Sequence, residues 1–273
     1  MGPDRVKLAV LSDIHGNLPA LQAVLQEVEG EGVDAVVNLG DSLSGPLLPA
    51  ETADLLIERS FVTIAGNHER QLLEQWRRPA AERDLGDADG FAASCLAPRH
   101  VAWIRSLPPT RWIGEDVFLV HGTPGNDLKY LLETVMSDYG LDGSPGVRAA
   151  TADEVAWRLG DGEDCRAASL VLCGHTHAPR AALVGATLVL NPGSVGLQAY
   201  EDDHPAYHQV RNGTPHARYA LVERRGAQWN ARLCSVAYDW DAMRELAASR
   251  GRADWAYALA TGSLPPAGRT IGA

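Results

Sequence analysis

Eight side chains suited to metal binding or acid–base work punctuate this chain: Asp13, His15, Asp41, Asn67, His68, His121, His175 and His177. The densest group is Gly174-His175-Thr176-His177, where two imidazoles one residue apart follow the apolar run Leu170–Cys173. At a sharp turn past a strand end, such a pair can face one small volume, and neutral imidazole is the commonest metal-binding side chain. Five of the nine histidines fall in these clusters. A glycine stands beside or near the polar residues of each cluster (Gly16, Gly40, Gly66, Gly122, Gly174), permitting the tight turns of a crowded site. Taken singly, Asp13, Asp41 and Asn67 each have a commonplace alternative as a cap or turn residue. Seven ligand-type residues at successive strand ends are a different matter, and together they point to a metal centre.

The elements that must position these residues can be read from periodicity. Val6–Leu11 is a buried-strand pattern ending at Ser12-Asp13-Ile14-His15. Leu18, Leu21, Val24, Leu25 and Val28 then recur on one helical face, with Asn17 as cap, Pro19 in the first turn, and Gly30 and Gly32 closing it. Asp34–Leu39 is a second strand ending at Gly40-Asp41, a helix spans about 50–58, and Phe61–Ala65 is a third strand ending at Gly66-Asn67-His68-Glu69. This β-α-β-α-β run implies a parallel sheet covered by helices, with ligands at the carboxyl ends of its strands. An uneven helical pattern over 69–107, broken by Pro79, Gly86 and Pro98, carries no assigned chemistry. A hairpin follows at 111–120, ending at His121-Gly122. Residues 126–147 are expected to form a helix and loop over the strand ends, and 152–159 a further helix. Short strands are expected at 180–183 and 187–190, a polar loop over 199–216, strands at 218–223 and 229–237, and helices at 240–248 and, weakly, 253–259. The polar clusters span 13 to 177, so one domain is expected over 1–250, with a weakly structured extension over 251–273.

A net charge of −11 disfavours an electrostatic grip on long nucleic acid, which relies on clustered Lys and Arg. It does not exclude small phosphates, because bound cations reverse the local field. No stretch of 18 apolar residues and no signal-peptide pattern occurs, so neither a membrane span nor export is expected. Four well-separated cysteines with no Cys-x-x-Cys fit a reducing cytoplasm, as small buried hydrophobes.

In this order, Asp-x-His, Gly-Asp, Gly-Asn-His-Glu, a strand-end His-Gly and Gly-His-x-His resemble the calcineurin-like metallophosphoesterase superfamily. Within it, the chain is most similar to small single-domain bacterial and archaeal phosphodiesterases. The resemblance covers about 6–223 and implies an α/β (α+β) fold: two mixed β-sheets packed as a sandwich and flanked by helices. It implies Asp13, His15 and His177 on one metal, Asn67, His121 and His175 on another, and Asp41 bridging both. The mixed imidazole, carboxylate and amide donors suit divalent transition metals, Mn²⁺ foremost with Fe, Zn²⁺, Ni²⁺ or Co²⁺ as alternatives, better than Ca²⁺ or Mg²⁺. The implied activity is hydrolysis of a phosphodiester by a metal-bridging hydroxide, with His68 as proton donor. A phosphomonoesterase with the same centre is the alternative enzyme. A catalytically silent scaffold is the non-enzymatic one, and the presence of His68 argues against it. Glu69 is expected to support the site without binding metal.

The sequence departs from the family pattern after Asn191-Pro192-Gly193-Ser194, which is expected to be a turn supporting the site. The usual Arg-Asp-Gly-like turn is matched by Arg211-Asn212-Gly213, displaced by an insertion at about 199–210 that carries Tyr200, His204, Tyr207 and His208. A surface or dimer loop is the favoured reading of that insertion, ahead of a substrate wall. Lys129, Tyr130 and Arg148 are lid candidates, with Arg148 apt for phosphate. A small phosphoester is the expected partner, and a homo-oligomer stays open.

Overall fold

The computed structural model describes residues 6–160 and 165–265; the tail beyond 265 lies outside the described residues. In chain order the regular elements are β1 (Lys7–Leu11), α1 (Leu18–Glu29), β2 (Ala35–Asn38), α2 (Pro49–Arg59), β3 (Val62–Thr63), α3 (Asn67–Arg77), α4 (Ala88–Cys95), α5 (Pro98–Ser106), β4 (Thr110–Ile113), β5 (Val117–Val120), β6 (Glu133–Val135), β7 (Val147–Ala149), α6 (Ala152–Leu159), β8 (Leu170–Leu172), β9 (Arg180–Val184), β10 (Thr187–Asn191), β11 (Ala199–Asp202), β12 (His208–Arg211), β13 (Ala217–Arg225), β14 (Gln228–Val236), α7 (Trp240–Ser249) and α8 (Ala253–Thr261).

The first three strands pair in parallel, as the β-α-β-α-β pattern requires. The sheet is nevertheless mixed, because β13 joins the other edge of β1 antiparallel and β14 joins β13, giving the order β14-β13-β1-β2-β3. A second mixed sheet runs β4-β5-β8-β10-β9, with β5, β8 and β10 parallel. The alternation of side chains along β1 explains how the layers stack. Leu8 and Val10 face inward, where they pack with Val37, Leu39, Leu119, Leu172 and Leu190 in a core between the two sheets. Ala9 and Leu11 face outward onto Leu21, Val24 and Leu25 of α1. On the far side, Phe118 and Val171 meet Leu131, Leu132 and Val155. Both faces of the central strands are therefore buried, which is why they read as unbroken apolar runs. The result is two mixed sheets packed face to face between helical layers.

Three segments differ from expectation. Residues 126–147 contain no helix: β6 pairs with β7 instead, because Gly140, Gly143 and Gly146 take positive φ, which an α-helix does not accept. The stretch 199–216 is not a plain loop, since β11 and β12 form a hairpin in which His208 and Gln209 are buried despite their polarity. In the segment from 251 the helix expected at 253–259 is present as α8, and it is firmly packed, with Trp255, Ala258 and Leu259 against Leu47, Leu197 and Met243. Among the cysteines, Cys165 and Cys173 are buried as expected, but Cys95 is exposed. No helix of the described residues is long and apolar enough to cross a membrane.

Candidate metal centre

All eight chemistry-bearing residues converge on one edge of the sandwich. His15, Asp41, Asn67, His68, His175 and His177 line a cavity of about 770 Å³. Asp13 and His121 lie just behind, buried. Asp13 and His15 follow β1, Asp41 follows β2, Asn67 and His68 open α3, His121 follows β5, and His175 and His177 follow β8. The loops are stitched together by their backbones: Asp13 N–H to the Gly40 carbonyl (3.0 Å), His15 N–H to that of Asp41 (3.1 Å) and Gly174 N–H to that of His121 (2.8 Å).

Seven non-glycine residues among those described have positive φ, and five are site residues: Asp13 (54°), His15 (51°), Asp41 (54°), His175 (69°) and His177 (56°). A left-handed residue costs on the order of 1 kcal/mol or more, so this concentration marks a place where geometry overrides local preference. Crowding adds to it. A Cβ on Gly66 would lie 2.3 Å from Asp41 Oδ1 and 2.8 Å from the His121 ring, and one on Gly174 would lie 2.0 Å from Ser12 Oγ.

Backbone carbonyls fix the imidazole tautomers. Nδ1 of His15 donates to Ser44 O (2.9 Å), that of His121 to Leu39 O (2.7 Å) and that of His177 to Leu197 O (2.7 Å). A carbonyl can only accept, so Nδ1 carries a proton and each Nε2 turns inward. There His15 Nε2 and His177 Nε2 stand 3.1 Å apart, and His177 Nε2 is 3.4 Å from Asp13 Oδ1, a buried oxygen with no hydrogen-bond partner among the described residues. Two inward lone pairs beside an orphaned carboxylate oxygen fit a cation. A second group gathers Asp41, His121 and His175, with His121 Nε2 3.0 Å from Asp41 Oδ2 and 3.1 Å from Asn67 Oδ1. The Asn67 amide nitrogen donates to Gln71 Oε1 (3.1 Å), which turns its oxygen toward the group.

The electrostatics agree. Burial drives His15 down to about 3 and His175 down to about 4, each helped by a neighbouring histidine, so both imidazoles are neutral donors. Burial also opposes charge on His121, yet the Asp41 carboxylate outweighs it and lifts the group to about 9, holding positive charge beside Asp41. For His68, burial again opposes charge, and Asp41 and Asp89 together lift it to about 10.

Supports surround the site. Glu69 is buried and binds no imidazole; its carboxylate accepts the N–H groups of Asp41, Ser42 and Gly66, each at 2.8 Å. Ser194 Oγ donates to Asp13 O (2.7 Å), Asn191 Nδ2 to Gly174 O (2.7 Å) and Asn212 Nδ2 to His177 O (2.9 Å). Asp89, in the segment given no chemistry from sequence, sits 3.0 Å from His68 Nδ1. The insertion contributes a cavity wall, since Tyr200, Glu201, Asp202 and His204 all line the cleft, while its tip at Asp203–Pro205 is exposed at the surface. Of the lid candidates Tyr130 lines the cavity. Lys129 lies over the Trp157 ring, and Arg148 is paired with Glu154, away from phosphate duty. Trp255 of α8, unforeseen from sequence, sets its ring edge-on to His15 at 5.9 Å.

A face-to-face pair of mixed sheets whose strand-end loops supply buried histidines, carboxylates and an amide to one cleft defines a metallophosphoesterase-type protein. The comparison with known families agrees: the calcineurin-like phosphoesterase superfamily domain matches residues 6–213, and the chain belongs to that superfamily of metal-dependent hydrolases. It is similar to the Methanocaldococcus jannaschii protein MJ0912, with 24% identity over 238 residues, covering 85% of this chain and 88% of that one. In fold it is similar to a metallophosphoesterase from Sphaerobacter thermophilus, with TM-score 0.69, 22% identity and coverage of 94% and 99% of the two chains. It is also similar to protein PH1004 from Pyrococcus horikoshii, with TM-score 0.67, 18% identity and coverage of 95% and 100%.

Proposed function

We propose that the protein hydrolyses a phosphodiester at a dinuclear centre, with Asp13, His15 and His177 holding one divalent transition-metal ion and Asn67, His121 and His175 the other. Asp41 would be shared between the two ions, and Mn²⁺ is the favoured ion. The observation that carries this reading is the set of three carbonyl-fixed imidazoles whose Nε2 atoms point inward beside Asp13 and Asp41, where a cation would replace the proton that His121 Nε2 shares with Asp41. When bound, two such ions acidify a water and neutralise phosphoryl oxygens. Asp13 and Asp41 neutralise about half of the ions' charge, leaving the floor of the cleft cationic. His68, on the cavity wall and held by Asp89, is placed to protonate a departing alkoxide.

A diester is favoured over a monoester by the lining. A monoester carries one more negative charge and profits from an extra cation beside the ions. Among the described residues that line the cavity, the guanidinium is that of Arg252, which Asp254 already pairs at 2.6 Å, and the His68 imidazolium is likewise paired, with Asp89 at 3.0 Å. The test is turnover of bis(p-nitrophenyl) phosphate and p-nitrophenyl phosphate by metal-stripped protein re-supplied with Mn²⁺, repeated with His68→Ala. Metal-dependent diester turnover that falls by roughly 10²-fold or more in the variant is the expected result. Turnover of the monoester alone would transfer the proposal to a phosphatase, and no metal-dependent turnover of either would refute it.

A further inference from the structure

Above the two histidines that follow β8 lies a hydrogen-bonded chain that the hydrolytic reading leaves unused. Tyr130 sets its ring edge-on to His175 at 5.0 Å, and Tyr200 does the same to His177 at 4.7 Å. Their hydroxyls meet at 2.7 Å, and Tyr130 Oη also lies 2.8 Å from Nε2 of the fully buried His208. The direction of this chain follows from counting protons. His208 Nδ1 faces the Ala206 carbonyl at 2.8 Å, so in the neutral imidazole Nδ1 carries the single N–H and Nε2 only accepts. Tyr130 must then donate to His208. Its one hydrogen is used, so the hydrogen between the two phenols belongs to Tyr200. The Tyr200 oxygen, at the end of the chain opposite the buried His208, is left with lone pairs alone, and Tyr200 lines the cavity.

That result sets what Tyr200 can bind. A phosphoryl oxygen brought to it would meet lone pair with lone pair, whereas an N–H or O–H donor finds an acceptor. The same wall carries Glu201 and Asp202, and Trp255 adds an aromatic surface. We infer that Tyr200 is a specificity-determining residue that selects phosphodiesters whose alcohol carries a protonated amine, held by an N–H to Tyr200 Oη and by the acidic and aromatic wall. The inference rests on the reading of the cleft as a phosphodiester site and deepens it. The insertion supplies Tyr200 and His208 together, so the preference travels with the departure from the family pattern.

Three p-nitrophenyl phosphodiesters separate charge from hydrogen bonding: the 2-aminoethyl ester, the 2-(trimethylammonio)ethyl ester with charge and no N–H, and the propyl ester with neither. They are assayed on Mn²⁺-loaded protein at a single pH of about 8. Wild-type protein is expected to prefer the aminoethyl over the propyl ester in kcat/KM. Tyr200→Phe, which keeps the ring on His177, is expected to cut that ratio roughly tenfold or more, as for loss of a hydrogen bond to a charged group. The trimethylammonio-to-propyl ratio should stay as it is, an outcome that a general distortion of the wall would not give. Equilibrium binding of the matching methylphosphonate esters to both proteins, read by calorimetry, repeats the comparison without turnover. Discrimination in binding with no hydrolysis of any ester would uphold the inference and refute the catalytic reading. Hydrolysis with no aminoethyl preference, or a preference untouched by Tyr200→Phe, would overturn the inference and leave catalysis standing. A nitrogen-15 spectrum placing the His208 proton on Nε2 would reverse the chain and overturn it as well.

Discussion

Replacing Asp89 by Asn should move the alkaline limb of the pH profile to lower pH. The amide keeps a carbonyl oxygen for His68 Nδ1–H but removes the negative charge that holds a proton on the ring. In the folded protein burial pulls the His68 proton affinity down, and Asp41 and then Asp89 raise it to about 10. Cations on Asp41 would cancel much of that carboxylate's share, leaving Asp89 as the main support for the imidazolium. An opposite charge at this range shifts a pKa by about 1–3 units. The His68 side chain is 28% exposed while that of Asp89 is 9% exposed, so solvent screening favours the lower half of that range. A fall of about 1–2 units corresponds to roughly 1.4–2.8 kcal/mol. The sign is fixed: His68 acts as a donor, so kcat/KM declines as pH rises through its pKa, and a lower pKa brings the decline on sooner. The assay is kcat/KM for a chromogenic diester from pH 6 to 10 on variant and wild type at equal metal content. The curves should coincide on the acid side and diverge by about tenfold near one unit above the variant's midpoint. An alkaline limb that stays where it was, in a variant that folds and binds metal normally, would refute the assignment of His68 as proton donor.

Gly66→Ala should abolish metal loading of the Asp41–His121–His175 group, because the new methyl would fall 2.3 Å from Asp41 Oδ1; metal analysis of the purified variant checks this. Glu69→Gln should lower stability by about 1–3 kcal/mol, since its amide nitrogen must turn toward a buried backbone N–H and leave it unpaired; urea unfolding of metal-free protein reads the difference. Native protein should react with a thiol reagent at the exposed Cys95 and not at Cys173, whose thiol is pushed well up by burial and further by Glu133 and Asp13. Peptide mapping after mild alkylation should show Cys173 labelled only once the chain is unfolded.

The convergence of the candidate ligands was legible because each cluster ends an apolar strand beside a glycine, so a one-dimensional pattern reports a three-dimensional edge. The parallel strands followed from the same periodicity, whereas the second sheet came through family resemblance. Asp89 escaped because it reaches His68 through the packing of α4 on α3, for which short, uneven helices give no periodic signal. Tyr200 and His208 were read as part of a surface or dimer loop because loops readily accept insertions. In fact each satisfies its polar atoms on the other's network, a route to burial that composition does not display. Trp255 was lost for a related reason: α8 is too short to show a clear face, and its place beside His15 depends on where α7 turns the chain.

The pairing of β1 has a consequence for how the protein is made. Its two neighbours in the sheet are β2, synthesised moments later, and β13, whose Val222 lies opposite Leu8. At about 5–20 residues per second, the intervening stretch of about 200 residues takes roughly 10–40 s to emerge from a ribosome. Throughout that interval the first strand offers an open, apolar edge, the kind of template on which nascent chains aggregate. The contact between His15 and His177 spans 162 positions, so the Asp13–His15–His177 group likewise stays incomplete until His177 has emerged. Nascent chains stalled before His177 should therefore be held by chaperones rather than by metal, since neither β13 nor the last histidine of the site has yet emerged.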